Sequence, residues 1–247
     1  MKGRTLAAIG FAAYAIGVIS TVPATLVDSG LRRVSDGKLR LVEAQGSVWS
    51  GSGRIEIRDP AGRRGIAEVV AWRMRLASLL SGHLVCEVAM NPATGPFTVT
   101  LSPTRIEIAG ADISLPAEAL GLAVPRLALL GLSGELALHV ARLSLGREQA
   151  QGQVTLQWRA AGSQLTLISP LGDYELELDG EGERIHALLH TVQGPLQLDG
   201  NGSWAYGDNP DFLVVAHVPQ QHRQQLGPLL RLIAVERDAG SFELQLK

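Results

Sequence analysis

Beyond residue 40, apolar and polar residues alternate one for one, the pattern of strands with one face on a core and the other in water. Ile55 and Ile57 stand between Arg54, Glu56 and Arg58. Phe97, Val99 and Leu101 alternate with threonines, and Ile106 and Ile108 bracket Glu107. Leu136, Leu138 and Val140 form a further run, as do Val154, Leu156 and Trp158 against Gln153, Thr155 and Gln157. Leu165 and Leu167 lead through Ser169-Pro170 to Tyr174, Leu176 and Leu178, which alternate with Glu175, Glu177 and Asp179. Leu196 with Leu198 follows, and Phe242, Leu244 and Leu246 close the chain. Turn formers separate the runs, among them Asp59-Pro60, Asn91-Pro92, Gly95-Pro96, Gly194-Pro195 and Asn209-Pro210. The spacing predicts a mainly β fold: an extended antiparallel meander, a curved sheet or a sandwich. Helix is scarce, with a turn or two at Ala77–Leu80 and Ala117–Leu120. A short helix is predicted over Pro228–Val235, where proline suits the first position. Val70-Ala71-Trp72-Arg73 is echoed by Leu156-Gln157-Trp158-Arg159, a hint of two similar halves, about 41–130 and 131–247.

The first thirty residues break this pattern. No residue from Thr5 to Val27 is charged, and a helix over that run would reach roughly 34 Å, enough for a hydrocarbon core about 30 Å thick. Ending it before Pro23 leaves roughly 27 Å, still adequate with snorkelling ends. Lys2 and Arg4 precede the run and favour a cytoplasmic N-terminus, while Arg32, Arg33, Lys38 and Arg40 follow it. The expected division is a cytoplasmic tip and transmembrane helix over 1–27, a juxtamembrane linker over 28–40, and a periplasmic β-rich domain over 41–247. A cleaved signal peptide is the alternative, because Val22-Pro23-Ala24 places small residues at the −3 and −1 positions of a cleavage site. Both readings export the body. Gly10, Ala13 and Gly17 form a small-residue face of the kind that packs against another membrane helix.

Composition narrows the chemistry. Aromatic residues are only 4% of a chain that is 46% hydrophobic, so the core must be built from Leu, Val, Ile and Ala, with each tryptophan a large anchor. A net charge of −2 with interspersed signs gives no basic block for a phosphate backbone, which argues against nucleic acid as a partner. The single cysteine, Cys86, excludes an internal disulfide and any multi-cysteine metal site, and its place among Leu84, Val88 and Met90 predicts a buried thiol. His186 and His190 alternate with apolar residues as on a strand, which separates them by roughly 13 Å, too far to share one ion. His217 and His222 fall in a glutamine-rich connector read as a solvated loop, and His83 and His139 stand alone. No nucleophile elbow occurs, and Gly180-Glu181-Gly182 lacks the third glycine of a dinucleotide loop and reads as a hairpin turn. Neither catalytic residues nor a cofactor or metal is expected.

The segment Val42-Glu43-Ala44-Gln45-Gly46-Ser47-Val48-Trp49-Ser50-Gly51-Ser52-Gly53 resembles the small-x-Gly-x-x-Trp-x-Gly signature of protein N of the type II secretion system, the general secretion pathway protein N family. Trp72 followed by Leu76 and Leu79-Leu80-x-Gly82 resembles that family's Trp-to-Leu-Leu-x-Gly segment. Leu156-Gln157-Trp158 with Ser169-Pro170-Leu171-Gly172-Asp173-Tyr174 resembles its central Trp strand and Pro-Leu-Gly turn. Gly194-Pro195-Leu196, Gly200, Gly202 and Gly240-Ser241-Phe242 resemble its C-terminal glycine-rich strands, whereas Gly207–Pro210 and Gln220–Gln225 match no part of it. The resemblance implies a non-catalytic inner-membrane component that aids assembly or stability of an envelope-spanning export complex. Its implied partners are the system's inner-membrane subunits and the secretin, with membrane lipid held through the anchor. The motif residues are Gly46, Trp49, Gly51, Trp72, Trp158, Pro170, Gly172 and Tyr174, for which structural roles are expected, Gly46 and Gly51 turning the chain on either side of Trp49. The rival reading is a carrier of lipid or another apolar ligand in a curved β groove, as in AsmA-like envelope proteins.

Overall fold

The fold is that of a computed structural model, which describes residues 22–58, 64–90, 94–123, 125–231, 234–238 and 240–246. These residues hold fourteen strands and a few short helices, the mainly β architecture that the alternation predicts. The chain divides into two compact units, Met1–Asn91 and Pro92–Lys247.

The first unit is an antiparallel meander of β1 (Leu39–Gly46), β2 (Ser50–Arg58), β3 (Arg64–Arg75) and β4 (Leu84–Ala89). Helix α1 (Thr25–Val34) packs beside β1. Asp28 in its first turn and Arg32 and Arg33 in its last complement the helix dipole. The Asp28 carboxylate also accepts the Leu41 amide at 2.9 Å and pairs with Arg40 at 3.2 Å, fixing the helix to the strand. The core of this unit is Ala24, Leu41, Val70, Trp72 and Cys86. Cys86 is buried as expected, and burial pushes its thiol pKa up.

No helix among the described residues is long and apolar enough to cross a membrane. Most of the uncharged run, up to residue 21, lies outside them, as do Asp59-Pro60 and Asn91-Pro92. Its last residues are not those of a membrane helix. The Val48 amide donates to the Val22 carbonyl at 3.0 Å, Ala24 donates to Gly46, and Pro23 bridges Ser47. Residues 22–27 therefore belong to the folded unit, and α1 occupies much of the stretch expected as a linker.

In the second unit the strands run in chain order from β5 (Phe97–Leu101) and β6 (Ile106–Pro116) through β7 (Leu132–Leu145), β8 (Ala150–Ser163), β9 (Gly172–Gly182), β10 (Arg184–Gln193) and β11 (Gln197–Ala205) to β12 (Phe212–His217). The last two exchange places: β14 (Ser241–Leu246) pairs with β12, and β13 (Val235–Asp238) lies outside it. Register aligns apolar positions across the sheet, as in Leu138, Leu156, Leu176 and Leu189 on four successive strands. At one end of the strands a core gathers Leu132, Leu136, Leu171, Leu196, Ala216 and Phe242. Short helices α2 (Glu118–Ala123), α3 (Pro125–Ala128) and α4 (Arg223–Leu230) are connected to these strands.

Two expectations change here. Leu165 and Leu167 are not on a strand. The Ser163 hydroxyl accepts the Leu165 amide and the Thr166 hydroxyl accepts the Ile168 amide, local bonds that compete with a ladder; Pro170 then has no N–H to give. The C-terminal helix starts at Arg223, five residues before Pro228, after a 3-10 turn over Gln220–His222. Starting there sets Leu226 and Leu230 four apart on one helix, where they are 0% and 3% exposed. Core burial thus draws most of the glutamine-rich connector into helical structure.

Candidate functional site

The motif residues gather in two places, one in each unit. In the first unit the β1–β2 turn is shaped by two glycines acting differently. Gly46 has φ of +88°, a left-handed conformation that favours glycine. Gly51 is needed for its missing side chain: a Cβ there would lie 2.6 Å from Cζ2 of Trp72 and closer still to the Gln45 carbonyl. Trp72 faces Gly51 across the β2–β3 ladder, is 7% exposed, and donates its indole N–H to the Val48 carbonyl at 2.9 Å. Trp49 is half-buried in the turn, and its carbonyl accepts the Met74 amide at 2.6 Å. The hairpin tip, the entry of the chain at Val22 and the end of β3 are therefore bonded to one another.

In the second unit Trp158 and Tyr174 are ladder partners on β8 and β9, with ring centroids 5.9 Å apart. Trp158 donates its indole N–H to the Ser133 carbonyl at 3.0 Å. That acceptor lies three residues before Leu136, the residue facing Trp158, just as Val48 lies three before Gly51. The two tryptophans of the sequence echo thus share a hydrogen-bonding scheme as well as a neighbouring sequence. Tyr174 is 4% exposed and donates its hydroxyl to the Leu196 carbonyl at 3.0 Å. Burial, reinforced by the adjacent Asp173 charge, pushes its phenol pKa up, so the donor is retained throughout the ordinary pH range. Pro170 follows a cis peptide bond, and Leu171 beyond it is buried. A Cβ on Gly172 would meet the Gln193 carbonyl at 2.8 Å and the Tyr174 hydroxyl at 2.9 Å. Asp173 holds the bulge at Ala160, whose φ is +47°: its carboxylate accepts the Ala160 backbone N–H at 2.7 Å and the Gln193 side-chain Nε2–H at 2.6 Å. These bonds, the Ala160 N–H foremost, lower its pKa.

Above this cluster is an apolar cavity of about 140 Å³, whose lining includes Leu120, Leu127, Leu130, Trp158, Tyr174 and Leu196. That is close to the size of an engineered cavity of roughly 150 Å³ that takes up benzene, and well below the roughly 300 Å³ at which ligand pockets begin. At the opposite ends of these strands, three hairpin turns surround an open polar depression of about 430 Å³, with Arg105, Arg147, Glu148 and Glu183 on its walls. Its balanced charges select no one class of ligand.

The family model for type II secretion system protein N matches residues 37–245. The chain belongs to that family. No curated protein and no solved structure matches it. Membership in the protein N family makes the chain a component of the type II secretion machinery, a family of generally non-catalytic envelope proteins acting in protein transport. The match begins at residue 37, so α1 and the tie at Val22 lie before the part of the chain that the family model covers. The histidines add no chemistry to this picture. His186 and His190 both lie on β10, each within ion-pair distance of a different glutamate on β9, and no metal-binding group of three occurs among the described residues.

What sequence reading missed in this protein N chain is the cavity and the Trp–carbonyl bonds. Both depend on register and on helices brought from distant parts of the chain. The paired echo around Trp72 and Trp158 was the one signal that could have led to the second of these.

Proposed function

We propose that this chain is a non-catalytic inner-membrane component of the type II system that stabilises its envelope-spanning complex from the periplasmic side. The observation that carries the reading is the tie at Val22. Val22 and Pro23, which directly follow the uncharged run in sequence, are bonded to the first hairpin. With the uncharged run before Val22 taken as the membrane segment, the body would be held next to the bilayer, where it can brace other inner-membrane subunits. Strand β13, last in the sheet order and carrying Val235 at 63% exposure, offers an edge for β-augmentation by a partner strand.

The test is the fate of the neighbouring subunits. Removing this chain should lower the steady-state level and co-purification of the inner-membrane subunits, and the full chain should restore both. Unchanged levels and an intact complex would remove the stabilising role. The lipid-carrier reading finds little support in this apolar cavity, whose volume of about 140 Å³ suits a ring-sized group better than an acyl chain.

A further inference from the structure

The β3–β4 connection is an unusual feature of the first unit. It is a 3-10 helix, Leu76–Ser81, with no buried residue, and Leu76, Leu79 and Leu80 are 47%, 48% and 94% exposed. The turn is built, not loose. The Ser78 hydroxyl donates to the Arg75 carbonyl at 2.6 Å and accepts the Val85 amide at 3.1 Å, tying both ends of the connection together. Gly82, at φ +74°, closes it by donating to the Leu79 carbonyl. A sequence that needed only to join two strands would not hold three leucines toward water, so the arrangement calls for an apolar surface to meet them.

The position of the turn says which surface. In an antiparallel meander the β1–β2 turn and the β3–β4 connection lie at the same end of the strands. Here they are joined, since Met74 donates to the Trp49 carbonyl two residues before Leu76. The same turn receives Val22 through Val48, so the uncharged run enters the unit at that end. Leu26, beside this entry in the first turn of α1, is a fourth exposed leucine, at 54%. Trp49 adds the residue type enriched at membrane interfaces, and exposed Arg73 adds a basic side chain that suits an anionic headgroup layer, whereas Arg75 is paired with Glu87.

We propose that the leucine turn Leu76–Leu80 is a lipid-contact element that enters the bilayer interface beside the chain's N-terminal segment, giving the β body a second foothold and a fixed tilt. The proposal rests on the membrane-attached reading above and adds the orientation of the body.

The test uses the full chain in vesicles of phosphatidylethanolamine and phosphatidylglycerol. Cys86 is replaced by alanine, and a single cysteine carrying an environment-sensitive fluorophore is introduced by Leu80→Cys or, as a control at the other end of β1, by Asp36→Cys. Both positions are exposed, and the far-ultraviolet spectrum checks that the fold is kept, at Asp36 in particular because its φ is +51°. The Leu80 site should shift to the blue and be quenched several-fold more by lipids spin-labelled near the headgroup than the Asp36 site. Adding Leu76→Ser and Leu79→Ser should reduce that quenching. If the chain floats with the vesicles but the Leu80 label is no more quenched than the Asp36 label, the leucine turn does not meet lipid and this inference fails alone. A blue shift that needs another inner-membrane subunit also overturns it and makes the surface a protein interface. If the chain does not float at all, the membrane-attached reading fails and takes this inference with it.

Discussion

Replacing Gly51 by alanine probes the hairpin end of the first unit most sharply. The new methyl group would sit 2.6 Å from Cζ2 of Trp72 and even nearer the Gln45 carbonyl, both well inside van der Waals contact. The carbonyl belongs to the paired strand and can give only by moving the bulge in β1. The indole can give only by turning away from Val48 and breaking its 2.9 Å hydrogen bond. Overpacking of this kind costs about 1–3 kcal/mol, and the lost hydrogen bond about 0.5–1.5 kcal/mol. A total of roughly 2–4 kcal/mol lowers the melting midpoint by roughly 5–15 °C for a chain of this size. Thermal melts of the purified chain read the total, and a double-mutant cycle with Trp72→Phe separates its parts. Phenylalanine has no atom in the Cζ2 position, so Gly51→Ala should cost less in that background, with a coupling of about 1 kcal/mol or more. A Gly51→Ala chain as stable as the parent, or strict additivity with Trp72→Phe, would refute the packing argument.

Three further outcomes follow from the second unit. Tyr174→Phe removes the donor to the Leu196 carbonyl and should cost about 1–3 kcal/mol, read by urea unfolding. Asp173 has a lowered folded-state pKa, so it contributes stability above the ordinary value of 3.8, and that contribution is lost as pH falls through its lower folded value. Melts across that acid range should show the loss in the parent and not in Asp173→Asn. The apolar cavity should stay dry and take up xenon, detected by NMR or anomalous scattering, whereas an enlarged lining residue, Leu127→Phe, should reduce uptake.

The strands were legible because their burial is one-sided. Ile55 and Ile57, and Leu176 and Leu178, alternate with charged side chains, and each pair lies on an observed strand. Strand β12 escaped because Phe212–Ala216 is a continuous apolar run: Phe212, Val214 and Ala216 are buried, while Leu213 and Val215 are half-buried on the other face. Leu165 and Leu167 misled because alternation over so few residues is outweighed by hydroxyl-to-backbone bonds and a nearby proline. The helix at Pro228 was mislocated for a tertiary reason, since only the core reveals that Leu226 must be inside it. Gly46 was readable as a turn residue, but Gly51 was not readable as a collision avoided, because its neighbour Trp72 arrives through the register of β3. The cavity was invisible in sequence because its walls come from helices and strands spread over more than a hundred residues.

This chain belongs to the type II secretion machinery, and its proposed attachment to the inner membrane runs through the segment before Val22. Secretion in cells lacking the chain tests it most directly. Without the chain, folded substrates should collect in the periplasm while the general export of periplasmic proteins continues, and the full chain should restore release. A version in which residues 1–21 are replaced by a cleaved export signal should reach the periplasm, fold and fail to restore it. Undiminished secretion without the chain, or full rescue by the unanchored version, would contradict the account.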